Sequence, residues 1–432
     1  MKRYSEYKDS GVKWIGEIPG HWKMPKLNRV VSKVGSGSTP RGGSEVYIDE
    51  GIKFLRSQNI HFEGLNLDSV VYIPDSINEQ MKNTQVQPFD VLLNITGGSI
   101  GRCFYVDDTL GKANVNQHVC IIRPLSVNYR FLKYFLQSNS GQSQVWFYQK
   151  GDREGLSAES IKTFRLPLPP LPEQQAIVTY LDTKVAKIDE YISIAEKKIA
   201  ALEELKQTII AEAVTRGIHK EVPMKDSGVK WIGMIPEHWK VSKIRSLLKL
   251  SSEKTDEPNA TLLSLSQYTG VKLKSECERT GMFEAENTIG YNVVHKGQFV
   301  MNIMLAWNGS YSVSKYDGVI SPAYCVFDFI ADCNKDYYDY LLRLKSYSGA
   351  FKTLSKGLID SRLRLYPNYF KTFPILIPPL NEQQEIVTYL DSKVANINQL
   401  CQAERSQIEK LKEYKQRLIS DVVTGKVKVT ND

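Results

Sequence analysis

The chain carries the sequence LPEQQAIVTYLDTKVA at residues 171–186 and repeats it as LNEQQEIVTYLDSKVA at residues 380–395, with thirteen of sixteen positions identical. Both copies continue an apolar spacing of alternating three and four residues, to about Thr215 and about Thr424. A sustained 3.5-residue repeat is typical of a coiled-coil seam. A helix of about 43 residues measures about 64 Å, and such a helix needs a partner. We predict that the copies pair with each other; the alternative is that each covers only its own domain.

The predicted seam consists of apolar residues at the repeat positions of both helices. They are Leu181, Val185, Ile188, Ile192, Ile199 and Leu202 in the first helix, and Leu390, Val394, Ile397, Ile408, Leu411 and Leu418 in the second. Lys206 and Lys415 interrupt the seam at the same place in each copy. A polar seam residue can fix the register of a coiled coil at some cost in stability.

Composition is that of an ordinary globular chain with a core. The 432 residues include 24% charged and 42% hydrophobic residues, and the length predicts about three structural units. The net charge of +8 permits a polyanionic partner without requiring one. The six cysteines lack CxxC pairs and zinc spacing, which indicates reduced, buried thiols and no metal site. No secretory signal and no apolar run near 18 residues is present, so we expect a soluble, cytoplasmic protein.

A second repeat precedes each helix copy by about 150 residues. Residues 8–23 read KDSGVKWIGEIPGHWK and residues 225–240 read KDSGVKWIGMIPEHWK, identical at fourteen of sixteen positions. Tryptophan, isoleucine, glycine and proline indicate a short, irregular packing segment. His21 and His238 lie beside tryptophans with no acidic partner nearby, so we interpret both as structural.

The segments between the repeats, residues 24–170 and 241–379, differ strongly in sequence. We predict strands at 46–48, 52–55, 70–73, 90–95 and 119–122 and a helix at 129–137 in the first segment. In the second we predict strands at 262–265, 297–302 and 323–327 and a helix near 337–345. Pro88–Asn94 and Lys296–Asn302 form a shared step. Proline-rich runs then disfavour a helix until the two long helices begin. Pro172 suits a first helical position, and Asn381 suits an N-cap.

These features predict an α+β fold with two mixed α/β modules separated by a pair of long antiparallel helices. The chain then has an internal pseudo-two-fold duplication. If the helices pair antiparallel, the end of the chain lies near the first KDSGVKWIG segment. A repeated scaffold that holds two divergent modules indicates two related tasks on two different targets.

Motifs for catalysis are absent from the sequence. It contains no GxxxxGK[ST] phosphate loop, no [DN]PP[YFW] tetrapeptide of adenine methyltransferases, no HExxH and no nucleophile elbow. Val34–Ser38 is glycine-rich but lacks a clear preceding strand, so we interpret it as a mobile loop, with phosphate contact as the alternative.

Hydrogen-bonding and cationic residues are clustered in turn-rich segments of both modules. The candidate DNA contacts are Ser38, Thr39, Arg41, Ser57, Gln58, Asn59, Thr96, Ser99, Arg102, Asn116 and Gln117 in the first, and Ser266, Gln267, Trp307, Asn308, Lys356, Arg362 and Arg364 in the second. Arginine can read guanine, and Asn or Gln can read adenine, while hydroxyls and backbone amides suit phosphates. The alternative for any single residue is a solvated loop.

The two KDSGVKWIGxIPxHW blocks and the two PPLxEQQ helix starts resemble the specificity (S) subunit of type I restriction–modification enzymes, and the resemblance covers essentially the whole chain. Gly37–Arg41 also resembles the Gly-x-Thr-Pro step of target-recognition domains, which the second module lacks. The resemblance implies target-recognition domains at residues 1–170 and 218–379, conserved helices at 171–217 and 380–425, and a tail at 426–432.

The resemblance further implies a sequence-specific, non-catalytic subunit for double-stranded DNA in phage defence. Each domain would read one half of a bipartite, asymmetric site, and the helices would dock two methylation subunits. S-adenosylmethionine would then be bound by those partners, and ATP and magnesium by restriction–motor subunits, with no cofactor on this chain. A protein-interaction scaffold, or a nuclease or methyltransferase with an unrecognised site, stays open as an alternative.

Overall fold

The computed structural model describes residues 2–149, 155–219, 221–277, 287–357 and 363–429. The chain forms two compact units, one from residues 1–195 and 405–432 and the other from residues 196–404. Each unit therefore combines one module with the beginning of one long helix and the end of the other. Antiparallel pairing of the two helices has this consequence, because it places the start of each helix beside the end of the other.

The first unit contains short strands and short helices before the first long helix. Its strands are β1 Tyr7–Asp9, β2 Glu17–Pro19, β3 Val31–Ser36, β4 Ile52–Leu55, β5 Val71–Ile73, β6 Val91–Asn94, β7 Cys103–Tyr105, β8 Ala113–Val115 and β9 Val119–Pro124. Its helices are α1 Asp75–Gln80, α2 Tyr129–Gln137, α3 Asn139–Tyr148 and α4 Ala158–Lys162, followed by α5 Leu171–Arg216, which continues into the second unit.

Most predicted elements of the first module are confirmed, and two interpretations are wrong. Residues 46–48 do not form a strand, because a 3-10 helix covers Gly43–Val46 and Ile48 makes only an isolated bridge to Tyr72. The glycine-rich stretch 34–36 belongs to β3 and pairs with β9, with Gly35 opposite Ile121. Gly35 within the strand and Gly37 directly after it lower the strand propensity of this stretch, because glycine has no side chain that packs on a sheet.

A four-stranded antiparallel sheet of order β3-β9-β6-β7 organises the first module. Val91 and Leu93 of β6 face the core that contains Phe131 of helix α2. Leu92, between them, faces a second core with Leu55 of β4. Successive side chains of a strand point to opposite faces, so a sheet covered on both faces needs the continuous apolar run seen here.

The second unit repeats this plan. Its strands are β10 Met224–Asp226, β11 Met234–Pro236, β12 Lys240–Lys243, β13 Leu248–Leu250, β14 Leu263–Ser266, β15 Gly270–Leu273, β16 Asn292–Val294, β17 Phe299–Asn302, β18 Tyr311–Val313, β19 Gly318–Ile320, β20 Tyr324–Phe329 and β21 Pro374–Ile377. Its helices are α6 Lys335–Leu342, α7 Lys345–Leu354 and α8 Pro367–Phe370, followed by α9 Leu380–Val423, whose end lies in the first unit. The sheet order β13-β20-β17-β18 corresponds to that of the first module. The predicted strands and helix are confirmed.

The shared step predicted at 88–94 and 296–302 is a shared turn before the central strand. Phe89 has φ of 70° and Gly297 has φ of 89°, and β6 and β17 follow them. A non-glycine residue with positive φ is uncommon, so the first module keeps a backbone conformation for which the second uses glycine. The Phe89 ring packs 4.7 Å from that of Tyr129.

The repeated Glu-Gln-Gln triplet connects each long helix to its module. In the first unit, Gln174 accepts a hydrogen bond from the backbone N–H of Asn128 (2.8 Å) and donates one to the Pro169 carbonyl (2.8 Å). Gln175 accepts from the Asn128 side chain at 3.0 Å. Asn128 is itself the N-cap of α2. The triplet therefore fixes the direction in which α5 leaves the module.

The second unit makes the same contacts with equivalent residues. Gln383 accepts from the backbone N–H of Asn334 (2.8 Å) and donates to the Pro378 carbonyl (2.8 Å). Gln384 accepts from the side chain of Asn334 at 2.8 Å. The identity of the two Gln-Gln pairs thus has a structural cause.

The expectation that His21 and His238 have no acidic partner is wrong. The Nε2 atom of His21 lies 2.9 Å from Glu173, and that of His238 lies 2.6 Å from Glu382. The partners lie about 150 residues away along the chain, so neighbouring sequence could not reveal them. Both histidines stay structural, because they join the KDSGVKWIG segment to the start of a long helix.

The long helices pair antiparallel. In the second unit Lys198 contacts Glu404 and Lys206 contacts Asn398, so residue numbers rise on one helix as they fall on the other. In the first unit Val185 and Leu418 share one core. The predicted fold class is confirmed, and every predicted seam residue is buried or half-buried.

The end of α9 reaches the first KDSGVKWIG segment, as predicted. The backbone N–H of Lys428 donates to the Lys2 carbonyl at 2.9 Å, and the Tyr7 hydroxyl donates to the Gly425 carbonyl at 3.1 Å. Gly425 has φ of 75°, and a Cβ there would lie 2.3 Å from Pro19. Only glycine fits this close approach. Among the described residues, no helix combines the length and apolarity needed to cross a membrane.

Candidate nucleic-acid interface

The glycine-rich turn after β3 lies directly on the turn between β8 and β9. The backbone N–H of Gly37 donates to the Val119 carbonyl at 2.8 Å, and the backbone N–H of Ser38 donates to the Val115 carbonyl at 3.2 Å. A Cβ on Gly37 would lie 2.2 Å from the Val115 carbonyl oxygen, so the contact requires glycine. The Thr39 hydroxyl donates to the side chain of Gln117. Two of the predicted clusters are therefore in contact.

Buried Asn94 joins the other two clusters of the first module. Its side-chain amide donates to the Ser57 carbonyl at 2.8 Å and to the Ser99 hydroxyl at 3.2 Å. Asn94 is fully buried at the end of β6, and its side-chain oxygen has no protein partner. Sequence reasoning missed Asn94 because it ends an apolar run.

His118 completes the connection. Its Nδ1 atom lies 2.5 Å from the Thr96 hydroxyl and its Nε2 atom lies 3.0 Å from the Gln117 amide. Hydrogen bonds thus link the turns at 37–41, 56–59, 96–102 and 114–118 into one polar surface. Its exposed members are Thr39, Arg41, Gln58 and Gln117, and its half-buried members are Ser38, Ser57, Thr96, Ser99 and Arg102.

Two predicted residues support this surface from below. Asn59 is fully buried, accepts from the Arg56 N–H at 2.9 Å and donates to the Asn66 carbonyl at 2.9 Å. Asn116 is 9% exposed and accepts from the His118 N–H at 3.2 Å. These hydrogen bonds fix the two amide side chains inside their turns. Both asparagines therefore position the exposed residues around them.

The candidates of the second module fall into two groups. Trp307 and Asn308 lie in a 3-10 helix after β17, where Lys352 of α7 lies 5.2 Å from the Trp307 ring. Lys356 pairs with Arg364 through two backbone hydrogen bonds of 2.9 Å, and its ammonium lies 5.3 Å from the Tyr369 ring. These cations over aromatic rings combine phosphate-binding and stacking chemistry.

Ser266 and Gln267 form the other group, on the β14–β15 hairpin. The Arg343 guanidinium donates to the Gln267 carbonyl at 3.0 Å. Arg362 lies outside the described residues. Sequence reasoning missed Lys352, which lies in a helix beside core residues, and Arg343, which directly follows α6.

An exposed tryptophan in the first module was also missed. Trp146 on α3 is 76% exposed, one helical turn after Gln142, which donates to the Gly101 carbonyl at 3.0 Å. Gln142 thus connects the helix that carries Trp146 to the 96–102 turn. Helices α3 and α7 correspond at a constant offset of 206 residues, which places Lys352 at the position of Trp146.

At the same offset of 206 residues, a buried lysine in the first module corresponds to an aspartate in the second. Lys133 on α2 is 6% exposed, and burial lowers its pKa to about 8. Its ammonium lies 4.3 Å from the Tyr134 ring and 5.2 Å from the Phe104 ring. Asp339 takes this position in the second module, and burial raises its pKa. The modules thus differ in charge even where their folds coincide.

Two of the fully buried thiols are held in their neutral form. All six cysteines are unpaired, and burial raises the pKa of Cys103 and Cys120 to about 12. Within the described ranges, no three His, Cys, Asp or Glu side chains are placed to hold a metal ion.

A sequence profile described as the type I restriction modification DNA specificity domain matches residues 19–204 and 236–410. The chain belongs to this family. Each match begins inside a KDSGVKWIG repeat and ends inside a long helix, so the family unit is one module with part of its helix. As a specificity-domain protein the chain recognises DNA and is not itself the catalytic subunit.

Relatives match most of the chain. The putative MjaX specificity subunit of Methanocaldococcus jannaschii is 21% identical over 96% of both chains. The MjaVIII specificity subunit of the same organism is 25% identical over 84% of this chain and 86% of its own.

Solved structures share the fold. One chain, from work on complex assembly and conformational transition in a type I restriction–modification system, aligns with a TM-score of 0.70 at 14% identity, over 95% of this chain and 99% of its own. The HsdS subunit of Thermoanaerobacter tengcongensis aligns with a TM-score of 0.51 at 16% identity, over 95% and 98%.

Proposed function

We propose that this chain reads a two-part, asymmetric site in double-stranded DNA, with one half-site bound by each module. The observation that carries this proposal is the contrast between scaffold and modules. The scaffold segments are identical at fourteen and thirteen of sixteen positions, whereas most side chains in the polar turns differ between the modules, as in Thr96–Arg102 and Met304–Ser310. A constant frame with two different reading surfaces suits two different half-sites.

In the first module the surface that joins the four polar turns contacts DNA. Arg41 supplies the guanidinium group and Gln58 and Gln117 the amides of direct readout, while Arg102 and the hydroxyls of the same turns suit phosphates. In the second module the contacts come from Ser266, Gln267, Trp307, Asn308, Lys356 and Arg364. The net charge of +8 favours the phosphate part of this binding.

The domain limits follow the repeats. Residues 1–170 and 218–379 are the target-recognition domains, residues 171–217 and 380–425 are the connecting helices, and residues 426–432 are the tail. The helices act as a spacer between half-sites, because hydrogen bonds of the Glu-Gln-Gln triplets fix each module to the start of a helix.

The methylation subunits dock on an exposed apolar stripe of the helices. Tyr191 and Leu205 of α5 are 62% and 49% exposed, and Leu400 and Tyr414, at the equivalent positions of α9, are 49% and 47% exposed. Large apolar residues that recur at matched exposed positions indicate a partner that binds twice. That partner brings S-adenosylmethionine, and restriction–motor subunits bring ATP and magnesium, in the cytoplasm.

The test has two steps. The purified chain should retard random duplex DNA at low salt, and the chain expressed with its methylation subunits should methylate adenines at one two-part sequence in a host genome. The chain alone should neither methylate nor cleave DNA. Tyr191→Glu combined with Leu400→Glu should keep DNA binding and lose the methylation subunits. Absence of DNA binding, or methyl transfer by the chain alone, would overturn the proposal.

A further inference from the structure

The β14–β15 hairpin of the second module presents an aromatic side chain at its tip. Strands β14 and β15 pair from Leu263 opposite Leu273 to Ser266 opposite Gly270. Tyr268, in the turn between them, is 82% exposed, the largest fraction among the large hydrophobic side chains that the structure describes. A side chain this open to water makes little contribution to the core, so packing does not explain it.

The backbone of this tip is held in place from the module side. Arg343 donates from one nitrogen to the carbonyls of Gln267 (3.0 Å) and Tyr268 (3.2 Å). The Ser266 hydroxyl accepts from the Tyr268 N–H at 3.2 Å. Gly270 ends the turn with φ of 70°, and a Cβ there would lie 2.6 Å from the Ser312 hydroxyl. The turn is therefore seated against β18.

Arg343 is in turn fixed by Asp339, one helical turn earlier on α6. The two charged groups approach to 3.9 Å. Asp339 also accepts from the Ser312 hydroxyl at 2.9 Å and from the Val313 N–H at 2.7 Å. Helix, sheet and hairpin tip thus belong to one hydrogen-bonded network. It holds the main chain of Tyr268 while leaving the ring in water.

An aromatic ring on a fixed backbone is well suited to contact bases. It loses little conformational freedom on binding, because the backbone is ordered beforehand and a tyrosine has only two side-chain torsions. Every base offers a face on which such a ring can stack, and aromatic or apolar wedges enter base steps in proteins that distort DNA. The neighbours Ser266 and Gln267 carry the hydrogen-bonding groups that would accompany this contact.

We propose that Tyr268 is an aromatic DNA contact of the second module, and that Arg343 is the residue that positions it. The contact is particular to the second half-site, because the turn after β4 in the first module carries Ser57, Gln58 and Asn59 instead. This inference rests on the proposed DNA recognition and adds a base-stacking residue to it.

The test uses the complex of the full chain with its methylation subunits and a duplex that carries the site mapped by methylation. Tyr268→Ala should weaken binding about tenfold or more, the usual range for loss of a base–aromatic stack. Tyr268→Phe should bind within about twofold of the natural chain, since stacking needs the ring and not the hydroxyl. Ile330→Ala, a change at another exposed apolar residue of this module (54% exposed), should leave binding unchanged.

A duplex with a scrambled second half-site provides the second arm. The advantage of the natural chain over Tyr268→Ala should shrink on it, because the second module no longer holds the ring against one fixed base step. Failure of the natural chain to bind any duplex would overturn the DNA-binding proposal together with this one. Normal binding by the natural chain and an equal affinity for Tyr268→Ala would overturn this inference alone.

Positioning by Arg343 is tested with a double variant. Arg343→Ala should weaken binding by a factor similar to that of Tyr268→Ala, and the double variant should bind no worse than Tyr268→Ala. Thermal unfolding of each variant separates a lost contact from an unfolded module. If the two effects multiply in the double variant, Arg343 does not act through Tyr268.

Discussion

The ammonium of Lys415 lies 2.7 and 2.9 Å from the two carboxylate oxygens of Asp189 in the first unit. In the second unit the equivalent Lys206 lies 3.1 Å from the side-chain oxygen of Asn398, the residue equivalent to Asp189. These are the two lysines that interrupt the apolar seam. Each repeat thus pairs its seam lysine with the residue opposite, an aspartate in the first unit and an asparagine in the second, where Glu203 of the same helix supplies the ion pair. The lysines favour one antiparallel register.

Asp189→Asn should lower stability slightly, because it replaces the Lys415 ion pair by a contact with a neutral amide. The carboxylate is 44% exposed, so solvent screens the pair and the loss should not exceed about 1 kcal/mol. The loss should shrink at high salt. Asn398→Asp is the matched control and should act in the opposite direction. Urea unfolding measures both, and a loss of the same size from both variants would rule out an ion-pair effect.

Gln383→Ala should destabilise the second unit by about 1–3 kcal/mol. Gln383 is 1% exposed, and its loss leaves the Asn334 N–H and the Pro378 carbonyl without their partner. Gln384→Ala is the control, because this exposed residue binds only the Asn334 side chain and should cost less than about 1 kcal/mol. If thermal unfolding shows the same loss of stability for Gln383→Ala and Gln384→Ala, burial of the amide does not determine the effect.

The long helices could be predicted from the apolar periodicity of their own sequence. Their antiparallel pairing could be predicted because the chain contains two matching copies, and the strands from local sequence patterns. The His21–Glu173 contact could not be predicted, since it depends on how the chain returns over about 150 residues. The candidate turns were found from composition alone, and the buried Asn94 that joins two of them was missed. Trp146 and Lys352 were missed because a helical pattern does not show which of its side chains stay exposed. Arg343 was missed because its partners lie about 75 residues away along the chain.

Phosphate contacts should appear in the salt dependence of DNA binding. Arg102→Ala and Lys356→Ala should each weaken binding to all sequences and lower the slope of log affinity against log salt by roughly one unit. Lys197→Ala, a change on the exposed face of α5, is the control and should leave the slope unchanged. An unchanged slope with binding lost at a single base position would make the residue a base reader instead.

Shortening both helices by one heptad should shorten the gap between half-sites. Deletion of residues 196–202 together with 405–411 keeps the seam repeat and removes about 10 Å, roughly three base steps. The half-site sequences should stay the same while the unread gap loses up to about three base pairs. Binding should weaken, because the modules also rotate about the duplex. A variant that binds with its original gap would show that the helices do not set the spacing.

The most direct test of two independent reading modules is an exchange of one of them. Residues 24–170 would be replaced by the corresponding module of a relative with another target, and methylated adenines would be mapped in a host that carries the methylation subunits. The account predicts that one half of the recognised sequence changes and that the other half, read by the second module, stays as it was. A change in both halves, or in neither, would contradict it.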